Sequence, residues 1–500
     1  MPQEILDEIV DNGGGDIAQM GNCALVCRSL RSRSQKHIFR VINIDTTERI
    51  IQLVNLIRKN SLIPKYLHVV HTSSQQFLPI HGIDTELASF LLLIRRLVPH
   101  SSLWMLVTPH RSDTPNPHPD PMNHISPQLL LYCLSVVTRL ELDRVPDFPA
   151  VALLNFRNLS HLSYIHTTTH PTLLTIFSPQ RMYPLLPSFF RSITSLEIEK
   201  IARFPGILIS NCHALTHLIF VNTTLWISEV AAVSSRPQIT HLTVSTFDLE
   251  TIKTLVDTVV DLSRLQQLDD KTDFNHFEED PLSTNYDELN QCYQYLLSES
   301  KYSLTYLVIF GTITDSPENA APLLPCNLSN IPNLATLILG FNCVDSDQMN
   351  APLYLHDILQ TVDTGTTRIK LFSIQFNILL ELTFTDEDGL IHLNFTDLPL
   401  LFSHGSWTDI GRVLSDLSYK GCTQFNVTIC CVLPEATAAY KHIVSPSAEG
   451  RTLCAVIFRW LDESIVPEGL FNPAAKFKVQ VCPDPSSMTT KEYIVRGTRL

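Results

Sequence analysis

The chain has 500 residues, with 36 Lys+Arg against 50 Asp+Glu and a formal net charge of −14. That balance argues against binding to a phosphate backbone, which needs clustered Lys and Arg. With 44% hydrophobic and 17% charged residues, it reads as a folded chain of about three domains or one long array, large enough to need neither disulfides nor metal for its core.

In chain order, the first elements are short helices. Pro2 suits a first turn, and Ile5, Leu6, Ile9 and Val10 make one apolar face at helical spacing. Gly13, Gly14 and Gly15 end that helix, and Asp16 can cap the next. The second helix carries Ile17, Met20, Cys23, Ala24, Cys27 and Leu30 at three- and four-residue steps, and a third is expected over 34–39. Beyond residue 41 the period changes, with strands expected at 41–44, 66–70 and 103–107 and amphipathic helices at 48–57 and 85–97. Residues 109–127, with Pro115, Pro117, Pro119 and Pro121 at alternate positions, are an exposed loop, because Pro holds neither a ladder nor a helix there.

One pattern then returns: an aliphatic residue, two others, Leu, one other, and usually an aliphatic. Its copies begin at Val137, Leu159, Ile193, Leu215, Ile239, Leu304 and Leu334, most of them followed by Thr or Ser. Their second leucines are Leu140, Leu162, Leu196, Leu218, Leu242, Leu307 and Leu337, with steps of 22, 34, 22, 24, 65 and 30 residues. A degenerate Leu262-Ser263-Arg264-Leu265 divides the long step. Leucine-rich repeats run at about 20–29 residues with one strand each. The expectation is therefore an irregular, LRR-like β/α solenoid with a curved parallel sheet over residues 41–365. Its longer steps hold insertions such as the acidic stretch 269–280 and a helix at 286–297.

Residues 366–500 read as a mixed α/β portion, either continued repeats or a terminal cap. Strands are expected at 368–376, 381–385 and 390–395, with a hairpin turn at 385–389. Trp407, Ile410, Val413, Leu414 and Leu417 make a helix face, and strands are expected at 425–432 and 453–460.

Chemistry is hard to place. The 12 Cys include no C-x-x-C pair, and most lie in apolar runs, so they read as small buried hydrophobes in a reducing compartment. Gly13-Gly14-Gly15-Asp16-Ile17-Ala18 matches a dinucleotide fingerprint by letters only, since a helix and not a strand precedes it. His166 and His170 flank three Thr that disfavour helix, and His110, His118 and His124 fall in the Pro-rich loop, so neither set reads as a metal site. The acidic set Asp269, Asp270, Asp273, Glu278, Glu279 and Asp280 lacks the turn Gly of a calcium loop and reads as part of an insertion. No nucleophile–base spacing is visible, and the expectation is a protein that is not an enzyme and uses no cofactor or metal. No apolar stretch has the length and lack of charge to span a bilayer, and no leader opens the chain, so a cytoplasmic or nuclear protein is expected.

The N-terminus carries a resemblance. Met1–Val10 as Met-Pro-Gln-Glu-Ile-Leu-Asp-Glu-Ile-Val, then Cys23-Ala24-Leu25-Val26-Cys27-Arg28-Ser29, then Ser34-Gln35-Lys36-His37-Ile38-Phe39, resembles the F-box as it occurs in mushroom-forming fungi. Three separated blocks agree in order and spacing over residues 1–40. The chain departs from the family pattern at Met1, where a Leu is usual, at Gly13, where an aliphatic closes the first helix, and at Leu30, where an aromatic is common. The resemblance implies a three-helix unit over 1–40 that docks on a Skp-type adaptor and, through it, on a cullin scaffold. The residues it implies for adaptor binding are Pro2, Ile5, Leu6, Ile9, Leu25, Val26 and Leu30. So small a unit cannot bury all of these itself; the alternative is that they pack on the first strand at 41–44. The function implied is the substrate-recognition subunit of an SCF-type ubiquitin ligase, with a protein substrate held by the repeats. An LRR-like scaffold uncoupled from any ligase is the alternative.

Overall fold

The computed structural model describes residues 8, 10–11, 17–26, 28–44, 46–73, 85–100, 102–108, 132–145, 156–165, 190–226, 236–245, 248–270, 286–313, 328–343, 351–362, 368–379, 382–384, 391–393, 406–432, 476–482 and 491–495. The chain divides into two compact units: Met1–Ile239 with Asp257–Asp261, and Thr240–Val256 with Leu262–Leu500. The Pro-rich 109–127 loop and the strand expected at 453–460 lie outside the described residues.

The first unit begins with helices Ile17–Val26 and Arg28–Ile38. The sequence periodicity runs one helix through to Leu30 and starts the next at 34; the structure instead puts Leu30 on the second helix, Arg28–Ile38. The Arg31 guanidinium reaches the Ala24 carbonyl at 3.5 Å, one of the carbonyls a helix end leaves without a partner. Then come β1 (Val41–Ile44), helix Thr47–Lys59, β2 (Val69–Ser73), helix Thr85–Leu97, β3 (Leu103–Thr108), β4 (Val137–Asp143), β5 (His161–Ile165), β6 (Ser195–Glu199), β7 (Phe204–Pro205), β8 (His217–Val221) and β9 (Leu225–Trp226). Thr46 caps the Thr47–Lys59 helix by accepting from the Arg49 amide at 3.3 Å, and Ile50, Leu53, Val54 and Ile57 turn one apolar stripe inward. β2 starts three residues later than the apolar run suggests. A turn through Pro64, closed by the Tyr66 amide on the Ile63 carbonyl at 2.9 Å, has to finish first.

Strands β1, β2, β3, β4, β5, β6 and β8 pair in that order, all parallel. Parallel pairing in chain order makes equivalent residues of successive repeats stand side by side. The column Ile42, Val70, Met105, Leu140, Leu162, Leu196, Leu218 is read directly from the register, and all but Ile42 are buried. Three residues before each leucine a second column, Val137, Leu159, Ile193 and Leu215, is buried as well.

The Ser or Thr beside that second column has a structural task. The Ser160 carbonyl accepts the amides of both Thr194 and Ser195, at 2.8 and 3.0 Å, and the Thr194 carbonyl accepts those of Thr216 and His217, at 2.9 and 3.0 Å. The hydroxyl then adds another bond to the same oxygen: Ser160 Oγ donates to the Thr138 carbonyl at 3.0 Å, Thr194 Oγ1 to Ser160 at 3.2 Å and Thr216 Oγ1 to Thr194 at 3.1 Å. One carbonyl with two lone pairs thus anchors the start of each following strand.

The second unit repeats the plan. β10 (His241–Ser245), β11 (Gln267–Asp270), β12 (Tyr306–Ile313), β13 (Thr336–Cys343), β14 (Leu371–Leu379), β17 (Gln424–Val432) and β18 (Lys476–Cys482) are parallel in order, and β19 (Lys491–Val495) joins β18 antiparallel. Its column is Leu242, Leu268, Leu307, Leu337, Phe372, Phe425, Phe477, and Phe372 and Phe425 meet edge to face at 6.5 Å. The expected copy at Leu262–Leu265 is corrected here. Leu268 takes the column and Leu265 the position three before it, while Leu262 closes the preceding turn by accepting from the Leu265 amide at 2.9 Å. The portion after 366 continues the array in register through β18. The hairpin is present as β15 (Leu382–Phe384) against β16 (Ile391–Leu393), and Trp407, Ile410, Leu414 and Leu417 of helix Ser406–Tyr419 are buried. No helix among the described residues is long and apolar enough to cross a membrane.

Burial of a Leu in this column contributes about 1.5–3 kcal/mol, and truncation adds the cost of a cavity. Leu196→Ala should therefore lower stability by about 2–5 kcal/mol in urea unfolding followed by circular dichroism. Ser195→Ala, one residue earlier and on the opposite face, should stay within about 0.5 kcal/mol.

Candidate interaction surfaces

At the N-terminus, Asp11 ties the start of the chain to helix Arg28–Ile38. Arg33 Nε donates to Asp11 Oδ1 at 2.7 Å and its Nη2 bonds Oδ2, while His37 Nε2 lies 2.7 Å from Oδ1. The hydrogen bond from Arg33, and then that from His37, hold the Asp11 carboxyl well below the usual range. A lowered carboxylate favours the fold above its ordinary value, and that support is lost as pH falls through the lowered one.

Of the adaptor residues implied by the resemblance, Leu25 and Val26 end helix Ile17–Val26 with 81% and 75% of their surface exposed. Leu30, on the next helix, is half-buried. Pro2, Ile5, Leu6 and Ile9 lie outside the described residues, as does Gly13. Met20 of the same helix is buried, so the helix has one apolar side inside and a second apolar spot left in solvent.

The strands present a different surface. Side chains alternate across a strand, so the residues before and after each column position face away from the leucines. In the first unit one such row is Trp104, Arg139, His161, Ser195, His217, and the other is Leu106, Glu141, Ser163, Glu197, Ile219. Two groups of contacts lie among these residues. The Arg139 guanidinium stacks on the Trp104 ring, 4.6 Å from its centroid. Trp104 hydrogen-bonds Glu141 through its indole, the ring's only donor. Ser163 Oγ donates to Glu197 Oε2 at 2.7 Å. Burial, then the Glu197 and Asp143 charges, push the Glu141 carboxyl above its usual range despite Trp104 and Arg139.

Three Ser/Thr–His pairs lie along these strands, and they look at first like nucleophile–base dyads. Ser160 Oγ is 2.8 Å from His161 Nδ1, Thr216 Oγ1 2.8 Å from His217 Nδ1, and Thr240 Oγ1 2.9 Å from His241 Nδ1. Ser160 and Thr216, however, give their protons to the preceding repeat's carbonyl. Each hydroxyl therefore accepts from Nδ1–H, which leaves the imidazole without the lone pair a general base would offer it. Burial, and next to it the Arg139 charge, lower the His161 pKa, which favours this neutral form.

In the second unit the corresponding rows are His241, Gln267, Tyr306, Thr336, Leu371 and Thr243, Asp269, Val308, Ile338, Ser373. Gln267 Nε2 donates to Asp269 Oδ2 at 2.7 Å, while Asp269 Oδ1 is buried with no hydrogen-bond partner. Burial pushes the Asp269 carboxyl up, against Gln267 and His241, and pushes the neighbouring Tyr306 phenol up as well. The expectation that residues 269–280 begin an insertion is corrected at this point, because Asp269 and Asp270 belong to β11. Asp270 faces inward and accepts from the Tyr293 hydroxyl on helix Tyr286–Ser300, which gives a buried carboxylate the donor it requires. Asp273, Glu278, Glu279 and Asp280 lie outside the described residues, as do His110, His118, His124, His166 and His170.

Among the described residues no group of three His, Cys, Asp or Glu could hold a metal ion. The buried thiols of Cys133, Cys292 and Cys422 are pushed up by burial to about 11, about 12 and about 11, so they stay protonated at neutral pH. The outward rows were legible only in part. Glu141, Glu197 and Asp269 each directly follow a column leucine, whereas the stack of Trp104 on Arg139 depends on the pairing of β3 with β4.

Comparison with family models and with curated proteins gave no match.

Because Glu141 is raised in the fold, its proton favours folding below the ordinary carboxylate value, and that support is lost as pH rises through the raised one. Glu141→Gln keeps an acceptor for Trp104 and removes the charge. It should raise the melting temperature at neutral pH, with the difference shrinking as pH falls below the ordinary Glu value; a constant difference across that titration would contradict the assignment.

Proposed function

We propose that this protein is a substrate-recognition subunit of an SCF-type ubiquitin ligase. Residues 1–40 dock on a Skp-type adaptor, which links the chain to a cullin, and the irregular leucine-rich-repeat-like strands hold a protein substrate. The observation that carries the reading is the pair Leu25 and Val26. They are two of the described residues within the F-box-like blocks, and two adjacent large aliphatics at 81% and 75% exposure are what a small helical unit shows when its partner is missing. Covering them removes apolar surface from water at about 25 cal/mol per Å². The chain needs no chemistry of its own in this role. Holding a substrate beside a ubiquitin-loaded enzyme raises its local concentration, and rate follows from that proximity.

The test is co-expression with a Skp-type adaptor followed by size-exclusion chromatography. The wild type should co-elute with adaptor. The double variant Leu25→Asp with Val26→Asp should lose roughly tenfold or more in affinity. Both sites are exposed, so its circular dichroism and melting temperature should hardly change. Co-elution of the double variant at wild-type level would overturn the reading. Failure of the wild type to bind any adaptor would leave the uncoupled scaffold.

A further inference from the structure

We infer that the open edge of β1 takes an extended acidic polypeptide segment as an added strand, an interaction that goes beyond the proposed ligase role and does not rest on it. In the first unit β1 ends the parallel sheet. It pairs with β2, and among the described residues no strand lies along its other edge. The Val69 amide donates to the Arg40 carbonyl at 3.0 Å, and with Val41 in register with Val69 the polar backbone groups of Ile42 and the Ile44 amide face β2. The N–H and C=O of Val41 and Asn43 therefore point the other way, and among the described residues no hydrogen bond reaches them. Both side chains are exposed, Val41 at 45%. Such an edge is a template for a further strand unless Pro, Lys or a bulge blunts it, and Val41–Ile44 holds none of these.

The charge around the edge selects the occupant. Residues 28–65 hold nine Lys or Arg against Asp45 and Glu48, in a chain whose net charge is −14. Helix Arg28–Ile38 packs against β1 and leads into it through Arg40. Asp11 engages Arg33 and His37 of this helix, whereas Lys36 and Arg40 are exposed and belong to no ion pair among the described residues. A second copy pairing edge to edge would bring two such basic segments together, and like charge opposes that. An acidic segment is drawn in instead.

The edge also sets the segment's pattern. Side chains alternate across a strand, so Val41 and the preceding Arg40 look to opposite faces. An added strand that alternates aliphatic and acidic residues places its aliphatics beside Val41, as a cross-strand pair, and its carboxylates towards Arg40 and Lys36.

The experiment is fluorescence anisotropy with the full chain and a fluorescein-labelled peptide of about eight residues alternating Val and Glu, the length of an ordinary strand. The same peptide with Lys for Glu is the reference, and two further versions carry N-methyl groups on alternate residues, one set for each edge of the peptide. At ~0.15 M salt the Glu peptide should bind roughly tenfold tighter than the Lys peptide. One N-methylated version should lose binding and the other keep it, because an added strand uses the amides of a single edge. Asn43→Pro removes an N–H from the open edge and leaves the ladder to β2 untouched, so it should weaken binding roughly tenfold. Lys36→Gln with Arg40→Gln should weaken it as well, while Arg264→Gln with Arg412→Gln, which removes the same charge from exposed sites elsewhere, should stay within about twofold. The N-methylated peptides are read on the wild-type chain, so they decide the matter even where the proline variant melts early. Absence of binding, equal binding of both N-methylated versions, or an equal loss in the control pair would overturn the inference. Light scattering after size exclusion tests the other occupant: a dimer that Asn43→Pro abolishes would give the edge to a second copy and overturn the acidic segment.

Discussion

One carbonyl per repeat carries the architecture. Where β6 follows β5, the Ser160 oxygen takes two amides and a hydroxyl from the next repeat, and the Thr194 oxygen does the same for β8. The second unit uses the same device, with the Gln266 oxygen accepting from the Thr305 and Tyr306 amides and from Thr305 Oγ1. Since this contact fixes where each strand starts, the leucine three residues on must fall beside its predecessor. The segment between strands is then free to vary in length. Steps of 22 and of 34 residues return to the same register, which a loop can do at little cost because closure entropy grows only with the logarithm of its length.

The same registration decides the character of the other face. With the leucines turned inward, each neighbouring residue is turned outward and held about 4.8 Å from its counterpart on the next strand. Charges that are far apart in the chain, such as Glu141 and Glu197, come to stand two strands apart, and their repulsion adds to burial in raising the Glu141 carboxyl. The Ser/Thr hydroxyls link the two faces. By donating back along the ladder they accept from the imidazole of the residue that follows, which holds His161 in one tautomer on the outer surface.

The N-terminal helices follow a different logic. Helix Arg28–Ile38 is polar along most of its length, and Asp11 gathers Arg33 and His37 from it. Helix Ile17–Val26 buries Met20 but ends in two solvent-exposed aliphatics. The helical region pairs Asp11 with Arg33 and His37 and leaves apolar surface outward at Leu25 and Val26, whereas the strands turn apolar residues inward and leave charge outward.

The sequence by itself determined the strands and their inward residues. A Leu three after an aliphatic, with Ser or Thr between, recurs because each copy must meet the same neighbour, and this local pattern sufficed to name the buried leucines from Leu140 to Leu337. The helix at 85–97 and the face of Trp407, Ile410, Leu414 and Leu417 were legible for the same reason, as apolar residues recur at their own period. Tertiary structure decided what periodicity cannot encode. It chose Leu268 over Leu265 for the column, because pairing with β10 and β12 sets the register and the spacing of leucines does not. It drew Asp270 into the core, where Tyr293 from a later helix supplies a donor. It also brought Arg139 and Glu141 to Trp104, and Ser163 to Glu197, because a parallel sheet makes neighbours of residues that the chain keeps an entire repeat apart.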